Sequence, residues 1–291
     1  MPVISLIAPA GQLDASLVSN LQGAFGATGD ALWLSPDEAA EFPVPQVPAN
    51  LQEVRKAISA MQVDLNCLPD DKRKKRLLIA DMDSTMIGQE CIDELAAEAG
   101  VGEKVVDITA RTMNGELEFD NALRERVALL KDLPTDTILQ VIENRITLAK
   151  GGKTLVATMK ANGAYAALVS GGFVQFTERL GETLGFDETR ANRLIEADGK
   201  LTGEVATPIL GQQAKVDALT EITTTLGTTP ANAIAVGDGA NDLGMIHLAG
   251  MGVALHAKPT VAAAAQLKID HGDLTALLFL QGYTRDEFLT K

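Results

Sequence analysis

Four short apolar runs constrain this chain more than any other feature: LLIA (77–80), AALV (166–169), AIAV (233–236) and GVAL (252–255), with segments of helical periodicity between them. Runs that are apolar at every position suit parallel strands buried on both faces. From Leu77 onward the pattern is therefore α/β. Three of the runs end in a polar signal. LLIA meets Asp81, followed by Asp83, Ser84 and Thr85; AALV meets Ser170-Gly171-Gly172; AIAV meets Gly237-Asp238-Gly239. In a parallel sheet these three ends converge on one crevice, the place where open α/β sheets bind ligands. A single acid after a strand is more often a helix cap or a turn residue. Three converging ends, two of them glycine-rich, are not explained that way.

The alternation stops between Gly88 and Lys150. There DELAAEAG, VVDITARTM, FDNALRERVALL and TDTILQVIENRI give four amphipathic pieces of bundle type. Inserted directly after the first strand of the sheet, they would sit over its carboxyl ends as a cap. The expected division is a core over 71–87 and 149–291, a helical cap over 88–148, and a small α+β unit over 1–70. In that unit VISLIA and ALWL read as strands. Leu51, Val54, Ile58 and Met61 predict an amphipathic helix from Leu51 to Leu68. EFPVPQVPAN, with three prolines in ten residues, reads as a linker or rigid turn. DDKRKKR (70–76) reads as a solvated linker rather than a basic patch, because no aromatic or basic partner region accompanies it.

The N-terminus, MPVISLIAPAGQLD, lacks a basic region and is broken by Pro9 and Gly11, so it reads as a first strand rather than a signal peptide. No apolar run approaches bilayer length. Two cysteines, Cys67 and Cys91, indicate no disulfide framework and point to a reducing cytoplasm. The formal net charge of −14 argues against nucleic acid or an anionic membrane as a partner. It also means that cations must be concentrated wherever an anionic substrate binds.

The converging residues suit phosphate chemistry. Asp81 and Asp238 are a pair able to hold a hard divalent cation such as Mg²⁺, which would offset the repulsion between Asp81 and Asp83. Gly171 and Gly172 let backbone N–H groups approach an anion, and Ser170 adds a hydroxyl. Lys215, in GQQAK before a helical run, supplies a point charge; alone it would read as a solvated surface lysine. A metal-bound carboxylate beside a second carboxylate that moves a proton is a layout for an aspartyl-phosphate intermediate. One decoy is set aside. KGGKT (150–154) ends like a P-loop, but position 147, where that pattern needs glycine, holds Thr147, and the segment before it is helical. It reads as a helix-terminating glycine pair.

DMDST, SGG, the isolated Lys215 and GDGAND (237–242) resemble the four motifs of the haloacid dehalogenase (HAD) superfamily of phosphotransferases. Over about residues 75–275 the similarity is nearest to the branch that hydrolyses O-phospho-L-serine, the last step of L-serine biosynthesis. It rests on DMDSTMIGQECIDELAAEAG, GELEFDNALRERVALLKDLP, SGGF, ANRL, DGKLTGEV and VGDGANDLGM. The resemblance implies a Rossmann-like parallel sheet core with a helical-bundle cap insertion and a small α+β N-terminal domain. It implies Asp81 as nucleophile and Asp83 as general acid/base. Magnesium would be held by Asp81, Asp238 and the backbone carbonyl of Asp83. Ser170, Gly171 and Lys215 match a phosphate clamp, Asn241 a residue near the transferred phosphoryl group, and Asp242 a supporting acid. In the cap, Glu90 and Arg126 match the groups that hold a substrate ammonium and carboxylate, with Met113 and Phe119 lining the pocket. Without the resemblance Glu90 and Arg126 would read as solvated helix charges, and Met113 and Phe119 as cap core. Met82 stands where many relatives have phenylalanine, which touches packing rather than chemistry. Residues 1–70 are only faintly similar to an amino-acid-binding regulatory domain and are short for a complete one.

Two other readings stay open at this point. One is a phosphotransferase that passes the phosphoryl group to an acceptor such as homoserine. The other is a non-catalytic receiver that also clusters acids, a hydroxyl and a lysine around Mg²⁺; the roughly sixty-residue helical insert, long beside usual βα connections, counts against it. The expected partner is a small-molecule substrate, O-phosphoserine, with no nucleic acid and no membrane; a homodimer is left open.

Overall fold

The computed structural model describes residues 1–113 and 116–289, apart from the Met113 side chain. The first six elements are β1 (Pro2–Ile7), α1 (Ala15–Phe25), β2 (Leu32–Ser35), β3 (Ala39–Pro43), α2 (Leu51–Ala57) and β4 (Asp64–Pro69). They form a βαββαβ unit whose antiparallel sheet has the order β2-β3-β1-β4, so the segment is not short of elements. The Asp14 carboxylate starts α1 by accepting the Ser16 N–H at 2.7 Å, and Gly26 ends it at φ 63°.

Two expectations for this unit are corrected. The helix expected over Leu51–Leu68 stops at Ala57, and Asp64–Pro69 is a strand paired to all of β1. Val63, Leu65 and Cys67 alternate onto the α1/α2 face of the sheet, a period of two that the helical spacing further upstream masked. The proline-rich EFPVPQVPAN is not wholly a linker either. Its first three residues finish β3, where Phe42 is fully buried, and Pro43 takes the last position of the strand. The stretch 70–76 is largely exposed, as a solvated linker should be, and is anchored at Arg73 and Lys74. Arg73 forms a two-pronged pair with Glu41 of β3 at 2.7 and 2.8 Å, and Lys74 reaches Glu287 at 2.7 Å.

The next strand, β5 (Leu77–Ala80), leads into the cap helices α3 (Cys91–Glu98), α4 (Gly102–Met113), α5 (Phe119–Ala128) and α6 (Asp136–Asn144), which coincide with the four predicted amphipathic pieces. The chain crosses between core and cap twice, side by side: Gly88 N–H donates to Thr147 O at 3.0 Å and Ala149 N–H to Met86 O at 2.9 Å. Then follow α7 (Gly152–Ala161), β6 (Tyr165–Phe173), α8 (Val174–Leu184), β7 (Glu188–Asn192), the hairpin β8 (Leu194–Ala197) and β9 (Lys200–Val205), and α9 (Gln212–Thr225). The last part holds β10 (Ala233–Gly237), α10 (Leu243–Leu248), β11 (Met251–Leu255), α11 (Pro259–Ala264), β12 (Leu267–Ile269) and α12 (Ala276–Leu280). The glycine pair of KGGKT therefore begins a helix, α7, instead of ending one; Gly151 sits at φ 81° as its N-cap.

The core sheet is six-stranded and parallel, in the order β12-β11-β10-β5-β6-β7. All four apolar runs lie in its inner strands. The two edge strands escaped prediction for a physical reason: β7 reads ETRAN, largely polar, and β12 has three residues, as edges tend to be. The β8–β9 hairpin, also unforeseen, packs on α5 of the cap. Gly203 (φ 82°) permits that contact, since a Cβ there would come 2.9 Å from Lys131 Cβ.

The N-terminal sheet is covered on both faces. Helices α1 and α2 take one side with Ile4, Leu6 and Leu65. Val3, Ile7, Leu34 and Ala39 on the other side share a core with Leu274, Leu277 and Leu278 around α12.

Candidate active site

The carboxyl ends of β5, β6 and β10 meet as the apolar runs foretold. Hydrogen bonding between β10 and β5 continues one residue past the strand, with Asp81 N–H donating to Val236 O at 3.0 Å, so Asp81 leaves the sheet beside Gly237-Asp238. Above them lies a cavity of about 750 Å³ lined by Asp81, Asp83, Ser170, Gly171, Asp238 and Asn241 from below and by Glu90, Phe119 and Arg126 from the cap. Its size suits a small metabolite.

Lys215, from the first turn of α9, is buried beneath Asp81. Its Nζ lies 2.7 Å from Asp81 Oδ1 and 2.6 Å from Asp242 Oδ1. Asp242 accepts the Gly239 N–H at 3.0 Å through its other oxygen. Gly237 is required here, because a Cβ would fall 2.2 Å from Asp242 Cγ. Burial alone would lower the Lys215 ammonium, but Asp81 and Asp242 outweigh it and raise its pKa above the ordinary lysine value. Burial pushes the Asp81 carboxyl well above its usual range; Lys215 opposes the shift, and Asp242 and Asp83 add to it.

Asp83 has its own partners, distinct from those of Asp81. It accepts the Cys91 N–H from the start of α3 at 2.8 Å on one oxygen and the Ser170 hydroxyl at 3.2 Å on the other. Burial, reinforced by Glu90, pushes its carboxyl up to about 6. A group poised near neutrality can both give and take a proton. Gly172 donates its N–H to Ser170 Oγ at 2.9 Å, so that N–H serves the loop rather than a ligand. A Cβ on Gly172 would meet Asp83 Oδ2 at 2.7 Å, which is the tighter reason for glycine there.

Asp81, Asp238 and Asp242 each bring a carboxylate oxygen within 4.8 Å of the others. Burial, with Asp242 and Glu90, pushes Asp238 up to about 6. Three hard carboxylate oxygens against one ammonium, with Asp81 and Asp238 both raised by burial, fit a divalent cation. Both oxygens of Asp242 are already engaged, so Asp81 and Asp238 hold the free ligand capacity; the Asp83 carboxylate is not in the cluster.

Arg126 sits half-buried on α5. Its Nε donates to Ala122 O at 3.3 Å, and it makes no ion pair among the described residues. Burial lowers its pKa, against Asp93 and Glu90. Glu90 receives the Ser84 hydroxyl at 2.7 Å, with Ser84 at φ 55°. Phe119 packs over the β6 loop, and a Cβ on Gly171 would touch its ring at 3.4 Å. The Met113 side chain lies outside the described residues. Four further contributors were not assigned roles from sequence. Thr85 donates to Asp238 at 3.2 Å, and Cys91 serves Asp83 through its backbone. Asn192 clasps Gly171 O at 2.9 Å and Leu210 N at 2.7 Å, and Lys258 stands on the cavity rim beside Asp238. Thr85 is adjacent to the paired aspartates, and Cys91 and Asn192 lie within quoted stretches of the resemblance; Lys258 carried no sequence signal.

The phosphoserine phosphatase of Archaeoglobus fulgidus is 46% identical over 205 residues, which are 70% of this chain and 59% of that protein. That of Methanocaldococcus jannaschii is 43% identical over 207 residues, 71% of this chain and 98% of its own length. The chain thus spans less than two thirds of one relative and nearly all of the other. Among solved structures, a HAD family hydrolase from Salmonella enterica serovar Typhi matches with a TM-score of 0.87 at 30% identity, covering 99% of this chain and 100% of that one. A parallel sheet that delivers its acids beneath a helical cap, matched from residue 78 to residue 247 by the haloacid dehalogenase-like hydrolase model, means that this chain belongs to that family of hydrolases.

Proposed function

We propose that the protein hydrolyses O-phospho-L-serine to L-serine and inorganic phosphate in the cytoplasm, as the last step of L-serine biosynthesis. The observation that carries the reading is one cavity with two aspartates of different environment at its floor and, at its roof, a glutamate beside an arginine that makes no ion pair among the described residues. A small phosphorylated amino acid presents a phosphate, a carboxylate and an ammonium, and needs these three kinds of partner. Relatives named phosphoserine phosphatase support the substrate. Two free, buried cysteines suit a reducing compartment.

In this mechanism an Asp81 carboxylate oxygen attacks phosphorus while the bond from phosphorus to the seryl oxygen breaks. Asp83, carrying a proton, passes it to that oxygen as L-serine leaves. The same carboxylate then takes a proton from the water that attacks the aspartyl-phosphate, the bond from phosphorus to Asp81 breaks, and phosphate is released. Lys215 holds Asp81 in place and compensates its charge throughout. Ser170 orients Asp83, and Arg126 and Glu90 grip the amino-acid end. Magnesium, held by Asp81, Asp238 and the Asp83 backbone carbonyl, would supply positive charge for the phosphate oxygens. The receiver reading is not favoured in a family of hydrolases. The test is phosphate release from a panel of phosphorylated metabolites, with and without Mg²⁺, for the parent and Asp81→Asn. Phosphoserine should rank first and the variant should be inactive. Turnover by folded Asp81→Asn near the parent rate would remove Asp81 as nucleophile.

A further inference from the structure

A second cavity, of about 350 Å³, shares no lining residue with the first and lies where α2 and β4 of the N-terminal unit face β12 and the loop after it. Gln52, Arg55, Lys56, Ser59, Lys268 and His271 are among its lining residues. Arg55 is the anchor, 7% exposed. Its Nε donates to Leu65 O at 2.8 Å, and its two Nη atoms reach Gln52 Oε1 at 3.0 Å and Asn66 Oδ1 at 3.4 Å. A guanidinium carries five donors, so part of the fork is unspent, and Arg55 forms no ion pair among the described residues.

The acids of the cavity are largely occupied. Asp64 spends its carboxylate on the N–H groups of Asp270 at 2.7 Å, His271 at 3.2 Å and Gly272 at 2.8 Å, and Asp270 pairs with Lys268 at 2.6 Å. Lys56, exposed on the rim, makes no ion pair among the described residues. Asp64 and one Asp270 oxygen are thus engaged, and although both acids lie near enough to act on Arg55, more donors than acceptors remain: the Arg55 fork, the Lys56 ammonium, the Gln52 amide and the His271 ring. In a chain of net charge −14 such a concentration of free donors has a specific complement. We propose that this cavity binds a small metabolite through an oxyanion, a phosphate or a carboxylate, gripped by Arg55 with Lys56 and His271 closing over it. The volume lies in the range of small-ligand sites, and a planar fork reads paired oxygens better than a spherical ion.

The test uses the full chain labelled with ¹⁵N. Inorganic phosphate, acetate and chloride are titrated separately while the Arg55 Nε–H signal and the amides of Ser59 and His271 are followed. Saturating shifts are expected with phosphate or acetate and not with chloride, and the tighter of the two identifies the oxyanion. Lys56→Ala/His271→Ala should weaken that binding by about tenfold or more, as should Arg55→Lys, which keeps the charge and loses the fork; kcat for the proposed hydrolysis should stay unchanged in the rim variant. Shifts that never saturate and are equal for all three salts would overturn the proposal. So would saturation of the same strength in the rim variant.

Discussion

Replacing Lys215 by Met would leave two buried carboxylates without their shared cation. The ammonium lies 2.7 Å from Asp81 and 2.6 Å from Asp242, and the three residues are 2%, 5% and 0% exposed. Removing one partner of such a buried pair costs about 3–5 kcal/mol, because the remaining charge has no water to turn to. At roughly 2–4 °C per kcal/mol for a chain of this order of size, Tm should fall by about 6–20 °C. The loss should depend on pH with a definite sign. In the parent the raised Lys215 pKa keeps the ammonium charged, so its contribution is present below the ordinary lysine value, about 10.4, and is lost only as pH rises through the folded value. In the variant, Asp81, raised by burial and no longer opposed by Lys215, folds as a neutral acid. The folded state then binds more protons than the unfolded one above about pH 4, and stability drops as pH rises. Scanning calorimetry in a chelator at pH 5 and pH 8 should therefore show a small gap between parent and variant at pH 5 and the full gap at pH 8. Adding Asp242→Asn to the variant should recover about half of it. A Tm within a degree or two of the parent at pH 8, or equal losses at both pH values, would refute the reasoning.

Three further expectations can be measured directly. Arg126→Ala should lower kcat/KM for phosphoserine by about ten- to a hundredfold, the worth of one charge-assisted hydrogen bond, with little change in p-nitrophenyl phosphate hydrolysis and in Tm; parallel losses on both substrates would assign Arg126 to the phosphoryl group or the fold. Mg²⁺ affinity, followed by calorimetry, should fall as pH drops through about 6, where Asp238 takes up a proton, by up to about tenfold per unit per proton displaced; affinity independent of pH would remove Asp238 as a ligand. A fragment starting at residue 71 should bind a hydrophobic dye and lose solubility, because Leu274, Leu277 and Leu278 lose the cover of Val3, Ile7 and Leu34; a soluble monomer with the parent Tm would show that this face tolerates water.

The sequence by itself determined the inner sheet, the cap and the convergence of Asp81, Ser170 and Asp238. Those features follow from local rules: apolar runs at every position make buried parallel strands, four amphipathic stretches make a bundle, and chain order then places the strand ends together. It did not determine the edges. The polar ETRAN and the three-residue β12 become strands only because a neighbour offers a ladder, and Asp64–Pro69 becomes one because β1 needs a partner along its whole length. Nor did it determine the electrostatics of the site. That Lys215 sits beneath Asp81 rather than at the cavity wall, that Asp83 faces Cys91 and Ser170, and that Arg55 keeps unspent donors beside largely engaged acids are matters of which group lies within hydrogen-bonding reach of which. Distances of that kind are fixed when distant segments pack, and no periodicity along the chain encodes them.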